Sequence, residues 1–147
     1  MIQTSIVNVG AFKELAGKVL TAGQAESLVR EIAVSMQTVT RRRIHNEGKN
    51  ASGGQIGTYK PSYLEWRKNN GYSSSPAVKL FLTGQMQNDY KVVPLSKTEY
   101  GLGYDNKFNA DKADWAEERF GKIFALTPDE MDDVRAIVTA YIQRIFK

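Results

Sequence analysis

His45 is the only histidine in a chain without cysteine, so the side chains that most often bind zinc or pair as nucleophile and base are nearly absent. A histidine metal cluster is excluded. A Ser-His-Asp device would have to be built on His45 alone, beside Arg41, Arg42 and Arg43. At the end of a helix, that residue reads more simply as a partner of the helix dipole. Without cysteine there is no thiolate chemistry, iron-sulfur ligation or disulfide, as is common in a reducing compartment. Carboxylates are plentiful between residues 105 and 133, yet Asp129, Glu130, Asp132 and Asp133 fall in the first turn of an expected helix, where acids stabilise by position alone. The glycine run GGQIG at 53–57 lacks the GK[ST] ending of a phosphate loop. The expectation is a protein that is not an enzyme and has no catalytic residue, cofactor or metal.

Binding chemistry remains, and it is concentrated. Residues 41–72 hold Arg41, Arg42, Arg43, Lys49, Lys60, Arg67 and Lys68, interleaved with Tyr59, Tyr63, Trp66 and Tyr72. Cations with aromatic rings suit nucleic acid, through phosphate contacts and base stacking. Tyr, Trp and Arg are also the residues enriched at protein interfaces. Composition does not separate the two, and a tyrosine cluster can also simply cover the edge of a core.

Charge distribution adds a second hint. Residues 41–70 set seven cations against Glu47 and Glu65, while residues 105–133 set nine acids against four bases. Opposite poles on one subunit suit head-to-tail association, with an acidic partner face made of Asp111, Asp114, Glu117, Glu118, Asp129, Asp132 and Asp133. The plain alternative is two solvated faces without a partner.

The elements that must position these residues follow from periodicity. The 147 residues, with net charge +4, make one domain, large enough to bury about two-thirds of its unfolded surface. Residues 2–9 read as a strand and 12–20 as a small helix. Thr21 and Gln24 have capping-box spacing, and Ala25, Leu28, Val29, Ile32, Met36 and Val39 recur on one stripe, which predicts a helix over 22–45. NEGKNASGGQIGT at 46–58 is a long loop. Pro61 opens a short helix that Gly71 can end.

Strands are expected over 78–82, 90–95 and 99–104, with Pro94 marking an edge or an end, and a turn or one helical turn between the first two. Asn109 caps a helix through Phe120, closed by Gly121, and KIFAL at 122–126 is a further strand candidate. TPDE at 127–130 starts a helix buried along Met131, Val134, Val138, Tyr141 and Ile145. The predicted fold is α+β: two long helices packed on a small antiparallel sheet, with a glycine-rich basic arm over 46–76. No apolar run approaches the length of a membrane span, and no signal-peptide pattern opens the chain, so a cytosolic product without membrane contact is expected.

RIHNEGKNASGGQIGTYKPSYLEWRKNNGY, then KLFLTGQMQNDY, GLGYDN and FGKIFALTPDE, resemble the tail-completion, neck or virion-morphogenesis proteins of tailed bacteriophages. The matching positions are Arg43, Gly48, Gly53, Gly54, Ile56, Gly57, Tyr59, Tyr63, Arg67, Leu82, Thr83, Gly84 and Met86, and the resemblance spans residues 20–145. It departs from the family in the acidic segment 108–130, where many relatives have a shorter basic finish. The resemblance implies a structural protein of the virion, present in host cytoplasm during assembly, that forms a six-fold or twelve-fold ring between portal-side proteins and the tail. On that reading Arg41, Arg42, Arg43, Lys49, Tyr59, Lys60, Tyr63, Trp66, Arg67 and Lys68 face a neighbouring subunit or DNA in the lumen. Removal of 47–57 is then expected to spare the fold and abolish assembly. The competing expectation is a nucleic-acid-binding module using residues 41–72.

Overall fold

The computed structural model describes residues 20–146 and the backbone of residues 2–8. The helix expected at 12–20 lies outside these residues, Leu20 excepted. The described elements are β1 (Ile2–Asn8), α1 (Ala22–Arg41) continued by a π-helical turn (Arg42–Asn46), α2 (Pro61–Asn69), α3 (Gln85–Asp89), β2 (Tyr90–Ser96), β3 (Glu99–Tyr104), α4 (Lys107–Phe120) and α5 (Pro128–Ile145). The class is α+β, as expected.

The sheet is antiparallel in the order β1-β3-β2. Pro94 therefore sits on an outer strand, where its missing N–H costs no ladder bond, and the register shifts between Pro94 and Ser96. Strand β3 is buried from Tyr100 to Tyr104, and α1 packs on the sheet with Leu28, Val29, Ile32, Ala33 and Met36 fully buried. Helix α5 packs on α1 through Val134, Val138 and Tyr141, whereas α4 contacts β1 and β3.

Both long helices start at reciprocal capping boxes. Thr21 Oγ1 accepts from the Gln24 N–H at 3.2 Å and Gln24 Oε1 from the Thr21 N–H at 2.9 Å. Thr127 and Glu130 repeat the pattern at 3.1 and 3.0 Å. Helix α4 begins earlier than expected, because Asn106, not Asn109, caps it and accepts from the Phe108 N–H at 2.8 Å. Asn109 is instead buried and donates to Asp89 at 3.0 Å. No described helix is long and apolar enough to cross a membrane.

Two expected strands, 78–82 and 122–126, are irregular segments packed against the subunit by Val78, Ile123 and Phe124. Their backbone groups are taken by side chains and loops, which leaves no ladder to build. The Leu80 carbonyl faces His45 at 3.1 Å, the Phe81 carbonyl accepts from Arg67 at 3.0 Å, and Leu80 itself turns to φ 48°. The carbonyls of Ile123 and Ala125 accept from Arg43 at 2.8 and 3.0 Å, while that of Lys122 accepts from the Ala51 N–H at 3.1 Å.

Candidate functional site

At the end of α1 the backbone widens into a π turn, closed by the Glu47 N–H on the Arg42 carbonyl at 3.0 Å. Three consecutive side chains, Arg43, Ile44 and His45, are buried there. Arg43 forms a buried ion pair with Glu130 and also donates to the carbonyls of Lys49, Ile123 and Ala125. Glu130 turns its second oxygen to the Thr127 N–H. One guanidinium thus ties the end of α1 to the glycine-rich loop, to residues 123–125 and to the cap of α5. Arg43 faces neither a neighbour nor DNA, which corrects that expectation. The planar five-donor fork can satisfy several carbonyls at once, and this is why an arginine is tolerated in the interior.

His45 is also internal, at 2% exposure, and is no cationic partner of the helix dipole. A carbonyl only accepts, so Nδ1 carries the proton and donates to Leu80, while Nε2 accepts from the Tyr104 hydroxyl at 3.0 Å. Burial lowers the imidazole pKa to about 4 and pushes the Tyr104 hydroxyl well above its ordinary value.

The expected arm over 46–76 is a limb folded on its own subunit. Asn50 and Gly54 close a turn within it at 2.8 Å. The Tyr59 N–H donates to the Pro76 carbonyl and the Val78 N–H to the Gly57 carbonyl, each at 2.9 Å. Ile56 is a core residue, so removing 47–57 would take core with it and would not spare the fold. A Cβ on Gly57 would lie 2.7 Å from the Phe120 ring, and one on Gly48, at φ +66°, would lie 2.6 Å from the Val78 carbonyl oxygen.

What the limb presents outward is α2. Its one buried residue is Arg67, which donates to the carbonyls of Ser73 at 2.9 Å and Phe81 at 3.0 Å and sits 5.0 Å from the Tyr59 ring centre. Arg67, like Arg43, is thus an internal tie. On this base stands a ladder of rings. Tyr59 meets Tyr63 edge-on at 5.0 Å, Tyr63 stacks on Trp66 at 5.7 Å, and Trp66 stacks on Tyr72 at 5.8 Å. Trp66 is 46% exposed. Lys60 and Lys68 stand exposed on the same helix and its cap, with no ion pair among the described residues.

Between α2, residues 78–86 and α4 runs a groove of about 560 Å³, walled by Tyr63, Phe81, Met86, Trp115 and Phe120. Lys60, Lys112 and Arg119 are its exposed cations, and among the described residues no carboxylate lines it. The α4 wall was not among the sequence candidates, although Lys112, Trp115 and Arg119 have the spacing of one helix face.

The remaining charges divide further. Arg41 is half-buried, and Arg42 and Lys49 both pair with Glu47, at 3.7 and 3.3 Å. On the acidic side Asp111 pairs with Lys107 and Asp132 with Arg135, while Glu117 is turned inward to accept from the Ile123 N–H at 2.8 Å. Asp114, Glu118, Asp129 and Asp133 are exposed. The two poles read from segment charge are therefore much thinner in three dimensions, and the acidic segment contributes two cations to the groove. Comparison with family models, with curated proteins and with solved structures returned no match, so the functional reading rests on the residues themselves.

Proposed function

We propose that this chain is a structural subunit of a tailed-bacteriophage particle, assembling into a six-fold or twelve-fold ring at the head-tail junction, between portal-side proteins and the tail. It acts by binding and not by catalysis, in the virion and, during assembly, in host cytoplasm. The observation that carries the reading is the α2 ladder: Trp66 held between Tyr63 and Tyr72, with exposed Lys60 and Lys68 nearby. Rings fixed before contact lose little entropy on binding and are the usual anchors of interfaces. The acids Asp129 and Asp133 on α5 suit the cations of an adjacent copy, and a closed ring arises when such head-to-tail contacts return on themselves. The motif positions quoted above support the same reading.

Mass measurement and imaging of the purified protein test it. Closed rings of six or twelve copies are expected, and Trp66→Ala combined with Lys68→Ala should leave folded protein that forms no ring. A chain that stays monomeric at high concentration and is missing from rings in assembled particles overturns the proposal. The ladder also offers stacking faces for unpaired bases, which keeps a nucleic-acid-binding module as the second reading. That reading predicts affinity falling by about one log unit per phosphate contact per log unit of salt.

A further inference from the structure

Helix α4 carries four residues at helical spacing, Phe108, Lys112, Trp115 and Arg119. At about 100° per residue they fall within roughly 60° of one another, forming a single stripe. All four are exposed, Phe108 to 75% and Trp115 to 55%. The stripe runs beside the buried face of Asn109, Ala110, Ala113 and Ala116, so it borders the body of the subunit. Its order is aromatic, cation, aromatic, cation. Read backwards from a second copy, this order pairs Phe108 with Arg119, Lys112 with Trp115, and each of these again by symmetry. Both pairs share one midpoint in the sequence.

We propose that α4 is a two-fold seam at which a second copy of this chain packs antiparallel, each aromatic ring meeting a cation of the other copy. Each ring–cation pair is attractive, since guanidinium and ammonium groups are drawn to ring faces, and the repulsion of the two Lys112 ammoniums beside the two-fold axis keeps the seam weak. Arg119 already behaves in this way within the subunit, lying 5.5 Å from the Trp115 ring centre and 5.2 Å from that of Phe120. Phe108 of the second copy would lie against Arg119 and Phe120, closing the α4 end of the groove. The contact is isologous, the same patch on both copies, and is separate from the head-to-tail contact of the ring. A single pair of fourteen-residue helices is small beside the roughly 1,200 Å² of a stable complex, so the pair is expected to dissociate on dilution.

Because the chain has no cysteine, single cysteines report the geometry directly. The two copies of position 112 would be offset by about 4.5 Å along the seam and those of position 108 by about 16 Å, at 1.5 Å per residue. Full-length protein carrying Lys112→Cys should form an intermolecular disulfide under mild oxidation. Phe108→Cys or Arg119→Cys alone should not, whereas a mixture of those two should. In the Trp66→Ala, Lys68→Ala background, which forms no ring, a dimer should grow with concentration in sedimentation equilibrium, and adding Trp115→Ala should weaken it at least tenfold with unchanged helical circular dichroism. No crosslink at 112, self-crosslinking at 108, or a Trp115→Ala variant that dimerises as well as the parent overturns the seam. Rings that form without the 112 crosslink remove the seam and keep the assembly proposal. A 112-linked dimer that never forms rings does the reverse.

Discussion

At the scale of single residues, the groups that looked most available for partners are those the fold uses internally. Arg43 and Glu130 are 6% and 3% exposed, and breaking a buried pair strands a charge away from water. Arg43→Ala is expected to cost about 3 to 5 kcal/mol, seen as a fall in Tm of roughly 10 °C or more. Arg43→Lys should recover little of this, because one ammonium cannot reach the carboxylate and three carbonyls together. A loss under about 1 kcal/mol in denaturant titration would contradict the staple.

His45 gives the protein a pH dependence of definite sign. Its folded pKa of about 4 lies below the unfolded value of 6.5, so the unfolded chain takes up the proton first as pH falls. The stabilisation is complete above pH 6.5 and drains between 6.5 and about 4, amounting to about 3 kcal/mol across that window. Chemical denaturation at pH 7.5, 6 and 4.5 should follow that slope, and the His45→Gln variant should be less stable at pH 7.5 and flatter below it. Arg41, whose charge further disfavours the imidazolium, is the neighbour to hold constant in such measurements.

At the scale of elements, the glycine-rich loop is a packed part of the subunit. Gly48→Ala would force a side chain into the left-handed region and against a backbone oxygen, so a loss of about 2 kcal/mol or more is expected by thermal melting. Gly53 also has a positive φ but open space around its missing Cβ, so Gly53→Ala should be the milder of the two. Helix α2 differs from α1 and α5 in having no buried apolar stripe. Its lone internal residue is an arginine, and this explains why an apolar pattern over 61–69 could not reveal how it is anchored. Arg67→Ala should therefore loosen α2 without melting the core, visible as faster amide exchange over 61–72 with α1 and α5 still protected.

For the whole molecule, the same logic separates contact residues from packing residues. The motif positions Arg43, Gly48, Ile56, Gly57 and Arg67 all lie in or against the body of the subunit, so the motif chiefly describes how the limb is folded. Tyr63, Trp66, Lys60 and Lys68 remain for a partner. Substituting Trp66 with alanine should cost at most about 1.5 kcal/mol of stability, the order of an aromatic pair, while assembly is lost. A similar loss of both would mean that the ladder supports the limb and not a partner.

Local chemistry in the chain was enough to determine the two capping boxes, the stripes of α1 and α5, the strands ending in Tyr104 and around Pro94, and hence the α+β class. These signals are carried by neighbours within a few residues. Only tertiary structure decided the fate of 78–82 and 122–126, the inward turn of Arg43, His45 and Arg67, and the joining of Lys112 and Arg119 to the side of Lys60. In each case the deciding contact spans from 14 to over 80 positions or arises between separate elements. Whether an arginine faces water or a carbonyl depends on what the fold brings to it, and no local pattern encodes that.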